Sequence, residues 1–293
     1  MTKITKEYLK QLDEKMDMIP LSYDLVFKSI FKLNLNLLVD FLNTSLKIEI
    51  AKDDKIRILD SELPVTNKNE RKKMAFIIVS INDKIFIDIE MNRSKFEYVM
   101  ERNFNYLDKI ATIIFEKGKS IKDINNIQLN LNISPFEEDL EDIIVPYGLL
   151  TQKIYPSNKR LIIKSLALYS KLYYNEGVKT KEIIWYTMLL ARTFSELYEL
   201  SKQILDEKEV NKLMEAMIEM SNDEFILHEW QKDKMDALVK QNEMEGAKKQ
   251  GIMENKIEIA KNLLNMNMSI EDISKATGLT ETDIQKLKTT EDK

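Results

Sequence analysis

Residues 70–106 carry the clearest alternation of apolar and polar positions in the chain. An apolar run from Met74 to Ile81 is followed by Asn82-Asp83 and a second run from Lys84 to Met91. Asn-Asp between two β-branched runs predicts a hairpin. In the second strand Ile85, Ile87, Ile89 and Met91 share one face. Phe86, Asp88, Glu90 and Asn92 share the other, because strand side chains alternate with period two. A polar helix over about 94–117 follows, with Tyr98, Arg102 and Tyr106 four apart on one stripe and Gly118 as its C-cap.

The same reading extends in both directions. Residues 1–20 predict a short charged helix ended at Pro20, and Ser22 is a candidate N-cap for a helix bearing Asp24, Phe27, Lys28 and Phe31 on one face. Phe27 and Phe31 read as core, and Asp24 and Lys28 as an i,i+4 ion pair. Asn34–Leu46 is amphipathic, with Leu37, Leu38, Phe41 and Leu42 on its buried side. Lys55–Leu59 alternates as a short strand, and Gln128–Ile133 as another, with Leu129, Leu131 and Ile133 set against Gln128, Asn130 and Asn132. From Glu137 onward the pattern reads as helical almost to the end. Trp185, Leu189, Leu190 and Phe194 mark one buried helix, and Val210, Leu213, Met214, Met217 and Ile218 another. A charged helix covers 229–264, interrupted at Gly246 and Gly251. Its apolar density is low over 231–257, so it either projects into solvent or pairs with another chain. The tail predicts two short helices, capped by Ser269 and Thr280 around a turn at Thr277-Gly278-Leu279, which is a helix-turn-helix pattern.

Composition narrows the chemistry. The 293 residues hold no cysteine and one histidine, His228, which excludes thiol nucleophiles and zinc thiolates and leaves carboxylates, lysines and a hydrated cation as the available chemistry. The net charge of −5 provides no bulk attraction to nucleic acid, so DNA binding requires a local basic patch. Without an apolar membrane span or an N-terminal signal core, the chain reads as soluble and cytoplasmic. Asp88 and Glu90 on a mostly apolar strand then allow two readings. Either they hold a divalent cation, since Mg²⁺ takes one or two carboxylates plus waters, or their face lies wet at a sheet edge.

Several signatures fall in order: Ser22-Tyr23-Asp24 with Phe27-Lys28 and Phe31, then Glu90 on a hairpin strand, then Arg102 and Tyr106, then the strand over 124–132, then Ile259–Leu264 leading to Thr277-Gly278-Leu279. Together they resemble the Rpn family of recombination-promoting nucleases, also described as PD-(D/E)XK nuclease family transposases. The resemblance implies an α/β restriction-endonuclease-like core, a small mixed sheet flanked by helices over 1–135. A helical region over 136–228 and a charged helix with a helix-turn-helix-like appendage over 229–293 make up an all-α remainder. It also implies Mg²⁺-dependent cleavage of DNA. The family's helix acid matches Asp24, its strand Glu matches Glu90, and its Gln or Lys position falls on Asn92, where an amide orients water without supplying charge.

The family's first-strand Asp falls near Ala75 or Phe76, neither of which can bind metal. Two outcomes follow from that departure. Asp88, beside Glu90, restores a second acidic ligand with Asp24 or Glu62 assisting, or the nuclease site has decayed and the fold serves as a DNA-binding or protein-interaction module. Arg71, Lys72 and Lys73 at the mouth of the hairpin, with Lys28 and Arg102, are the candidate DNA contacts, and self-association is expected through 229–264.

Overall fold

The structure, a computed structural model, describes residues 4–59, 77–92, 101–108, 124–133, 139–155 and 157–291. The chain forms two compact units, 1–227 and 228–293.

The first unit is built on a six-stranded mixed sheet in the order β1-β2-β3-β4-β8-β5. β1 (Ile56–Leu59), β2 (Ile77–Ile81) and β3 (Ile85–Asn92) are antiparallel neighbours. β4 (Asn125–Asn132) and β8 (Lys159–Ser165) continue the sheet in parallel with β3, and β5 (Glu141–Ile144) closes the edge antiparallel to β8. The predicted hairpin turn is present. Asn82 and Asp83 both take positive φ, 53° and 56°, the type I′ geometry that Asn and Asp tolerate and that matches strand twist. Asn82 holds β1 in place as well, donating its N–H to the Lys55 carbonyl at 2.9 Å and accepting from the Lys55 N–H at 2.8 Å.

One face of the sheet is apolar. Ile87, Ile89, Leu129 and Leu131 are buried there in matching rows. Helices α5 (Leu166–Glu176) and α6 (Lys181–Leu190) meet this side through Lys164 of β8, which is buried and paired with Glu182 of α6 at 2.9 Å and with Glu141 of β5. Beyond lies an aromatic cluster of Phe27 and Phe31 from α2 (Asp24–Leu33), Phe41 from α3 (Leu35–Leu46) and Trp185, with ring centroids 4.4–6.4 Å apart. The Trp185 indole donates to Asp40 at 2.9 Å, which satisfies its only polar atom. On the opposite face, residues 101–108 form helix α4, whose Tyr106 packs with Ile78, Phe86 and Ile124.

Several expectations need correction. The chain is not helical from residue 137, because β5, β6 (Tyr147–Gly148), β7 (Lys153–Ile154) and β8 intervene. The short apolar run Leu161-Ile162-Ile163 carries no periodicity that separates a buried strand from a helix. Ser22 is not an N-cap: α2 starts at Asp24 with Tyr23 in the cap position and no side-chain cap bond. Phe194 does not continue the Trp185 helix but opens α7 (Phe194–Ser201), because Thr193 caps Glu196 and Asp13 takes the N–H groups of Phe194 and Ser195. The helix α1 (Lys6–Asp13) stops short of Pro20, and α8 (Glu207–Asn222) buries Val210, Leu213, Met214 and Met217 as expected. Gly118 lies outside the described residues, as do Glu62 and Tyr98.

α9 runs unbroken from Glu224 to Asn265, 42 residues, and contains Gly246 and Gly251 without interruption. In the second unit α10 (Ile270–Thr277) and α11 (Glu281–Glu291) fold against the end of α9 through Ala260, Ile273, Leu279 and Ile284. Ser269 caps Asp272 and Thr280 caps Asp283, as the sequence predicts, and Gly278 takes φ 66° at the turn.

Candidate functional site

The face of β3 that bears Asp88, Glu90 and Asn92 is not a wet sheet edge. β3 has neighbours on both sides, and Asp88 is 0%, Glu90 6% and Asn92 3% exposed. Parallel pairing with β4 sets Asp88 beside Gln128, Glu90 beside Asn130 and Asn92 beside Asn132. Each partner is polar because β4 alternates in the same phase. The result is a buried ladder of two carboxylates and four amides, an arrangement that is stable only when its polar atoms are satisfied.

At one end the Asn92 amide is satisfied. Asn92 Nδ2 donates to Asn130 Oδ1 at 3.2 Å and to Asn132 Oδ1 at 3.0 Å. Arg102 Nη2 donates to Asn92 Oδ1 and, at 3.4 Å, to Asn103 Oδ1, while Asn103 donates to Asn130 Oδ1. The Arg102 guanidinium lies 5.7 Å from the centroid of the Tyr106 ring. Arg102, Asn103 and Tyr106 thus come from one helix, α4, and Arg102 with Asn130 and Asn132 fixes the orientation of the Asn92 amide.

Elsewhere the cluster is under-satisfied. Gln128 Nε2 donates to Asp88 Oδ2 at 2.8 Å. Among the described residues Asp88 Oδ1, Gln128 Oε1, Asn126 Oδ1, Asn130 Nδ2 and Arg102 Nε have no hydrogen-bond partner. Clustered buried polar atoms of this kind call for a ligand, since each unpaired group carries its full desolvation cost. Burial pushes the Asp88 carboxyl up to about 7, against the opposing pull of the Gln128 hydrogen bond and the charges of Lys28 and Arg102. Burial also lowers the Lys28 ammonium, with Asp24, Glu90 and Asp88 drawing it the other way. Lys28 of α2 therefore lies within electrostatic reach of both strand carboxylates.

The expected residues divide accordingly. Asp88, Glu90 and Asn92 are brought together, and Arg102 reaches them through Asn92. Asp24 is exposed in the first turn of α2, and it joins the group through the charge of Lys28. Arg71, Lys72 and Lys73 lie outside the described residues, as do Ala75 and Phe76. The described β2 residue across from Asp88 is Ile78, which offers no ligand. Sequence reasoning missed Gln128, Asn130 and Asn103 as members of the site. The phase of the β4 alternation was the available signal for the first two, and for Asn103 there was none.

The family model for the PD-(D/E)XK nuclease family transposase matches residues 21–247, a span that contains the whole sheet and its polar ladder. The chain belongs to that family. A second family model, the C-terminal HTH domain of the Rpn/YhgA-like nuclease family, matches residues 253–289, which correspond to the end of α9 with α10 and α11. No curated protein and no solved structure matches the chain. The fold of this family member is the α/β nuclease core followed by the long C-terminal helical region. Its two matched domains relate it to nucleases acting on DNA. No helix among the described residues is long and apolar enough to cross a membrane.

Proposed function

We propose that this chain is a metal-dependent DNA endonuclease of the transposase and recombination-promoting type, with Asp88 and Glu90 as its cation ligands. The observation that carries the reading is Asp88 Oδ1, an unpartnered carboxylate oxygen beside the equally unpartnered Gln128 Oε1 among the described residues, one side-chain row from Glu90. The donor set fits a hard divalent cation such as Mg²⁺, which favours carboxylate and amide oxygens and completes its shell with water. Among the described residues the donors gathered at this point are the carboxylates of Asp88 and Glu90 with the Gln128 amide beside them. When bound, the cation supplies Lewis-acid polarisation and a nucleophile for phosphodiester hydrolysis.

The side chains of this protein do the rest. Asn92, held by Arg102, orients a water by hydrogen bonding. Lys28 offsets the charge of the two strand carboxylates and faces the phosphate, with Asp24 tuning it from the same helix. Arg71, Lys72 and Lys73 contact the DNA backbone as point charges, and Arg102 joins them through the guanidinium edge not engaged by Asn92. A cytoplasmic location and self-association through α9 belong to the same reading.

Plasmid nicking in Mg²⁺ or Mn²⁺ tests it. Wild type nicks, Glu90→Ala and Asp88→Asn abolish nicking, and Gln128→Ala lowers it by roughly 10–100-fold, the usual effect of removing a group that positions a metal ligand. Nicking that survives both carboxylate substitutions would sink the assignment. A second reading, a degenerate nuclease fold retained for binding, is favoured by Ile78 opposite Asp88 and by the complete burial of Asp88. That reading predicts no cutting under either metal, together with a retained gel shift of DNA.

A further inference from the structure

Between residues 143 and 163 the chain carries charges only at Lys153, Lys159 and Arg160, all positive, although its net charge is −5, and of the three Lys159 is ion-paired with Asp108. This stretch includes β6 and β7, which pair with each other as a ribbon apart from the main sheet, Tyr147 opposite Ile154 and Gly148 opposite Lys153. The ribbon is apolar and bare: Leu149 is 84% and Leu150 100% exposed at its tip, and Ile154 of β7 is 69% exposed. Exposed leucines at a loop tip without a packing partner mark an interaction site when they cluster.

The tip is also built. Gln152 N–H donates to the Gly148 carbonyl at 2.8 Å and Tyr155 N–H to the Pro146 carbonyl at 3.0 Å. The hydroxyls of Thr151 and Tyr155 are 3.2 Å apart. A Cβ added at Gly148 would meet Thr151 Oγ1 at 2.5 Å and the Tyr155 ring at 2.7 Å, so the ring is seated on the glycine backbone. The two leucines are therefore presented by a locked turn. The ribbon leads directly into β8, whose first residue, Lys159, shares a row with Asn126 and Phe86. Asp88 lies one row further on the same face, about 7 Å along the strand.

We propose that this hairpin is an apolar wedge for duplex DNA, in which Leu149 and Leu150 enter a groove and unstack a base step while Lys153 lies on a flanking phosphate. The proposal rests on the nuclease reading above and adds to it the element that deforms the substrate beside the site. Charge selects the partner. A symmetric contact with a second copy would bring cations against cations, whereas a duplex offers a polyanionic backbone and a groove that apolar side chains of this kind penetrate.

The test uses the full chain, without divalent cation, on a duplex carrying 2-aminopurine, whose fluorescence rises on unstacking. Wild type raises the fluorescence. Leu149→Ser/Leu150→Ser abolishes the rise and binds at least tenfold more weakly, with an unchanged melting temperature because neither leucine packs in the core. Lys153→Ala lowers the slope of log K against log salt by about 1. Because helix-turn-helix units are themselves duplex-binding elements, unstacking is the deciding readout. Duplex binding by wild type with variants that match it in unstacking and salt slope overturns the wedge alone. Failure of wild type to bind duplex both without divalent cation and with Ca²⁺ overturns the nuclease reading together with the wedge. Recruitment to phosphatidylserine vesicles that the double variant loses, with no change on duplex, overturns the wedge in favour of a lipid surface.

Discussion

Asp88 ties the stability of the protein to its chemistry. Its carboxyl moves from 3.8 to about 7 on folding because burial penalises the charged form. Well below pH 3.8 the carboxyl is protonated in both states and contributes no difference. Between about 4 and 7 the folded state holds a proton that the unfolded state has lost, so stability falls as pH rises, and above 7 the penalty is constant. Denaturant unfolding from pH 4 to 8 is expected to show that slope in wild type, and Asp88→Asn, which mimics the neutral form, is expected to reduce it. Addition of Mg²⁺ or Mn²⁺ at pH 8 then raises the melting temperature of wild type and leaves that of Asp88→Asn unmoved, because the cation replaces the proton. An equal shift in both proteins would place the cation elsewhere.

At the scale of elements, α9 and the turn after α10 use glycine in opposite ways. Gly246 and Gly251 sit in an intact helix with nothing near a would-be Cβ, so replacing either with Ala is expected to stabilise α9 by about 0.5–1 kcal/mol. Gly278 holds φ 66° at the C-terminus of α10, and its N–H bonds the Ser274 carbonyl at 2.8 Å. Gly278→Ala strains that backbone and is expected to cost about 1 kcal/mol. Thermal melts followed by circular dichroism check both signs. A destabilising Gly246→Ala would show that the helix needs flexibility there.

For the whole molecule, the open question is what α9 does along its exposed length. Met235, Leu238, Val239, Ile252 and Met253 are all solvent-exposed on this helix, at spacings of three, four and near multiples of 3.5. A helix with so little buried surface would gain stability by pairing, which is the self-association proposed above for α9. Light scattering is expected to give a mass above that of the monomer, and Leu238→Glu/Ile252→Glu is expected to return it to the monomer. A monomer mass at all concentrations in wild type would exclude the pairing.

Local pattern alone determined much of this protein. The period-two alternation of Ile85–Asn92 and Gln128–Ile133, the Asn82-Asp83 turn and the Ser269 and Thr280 caps each depend on a few adjacent residues, and each is present in the structure. Tertiary structure decided what those elements mean. Whether Asp88 and Glu90 were wet or buried depended on which strand lay beside β3, and parallel pairing with β4 settled it by placing Gln128 and Asn130 in register. The strands after 137 were hidden because the run at 161–163, taken alone, has no period. The break before Phe194 was hidden because the partner for its N–H, Asp13, is 181 residues away. Alternation and capping are properties of neighbours in the chain, whereas burial and hydrogen-bond satisfaction belong to residues that only the folded sheet brings together.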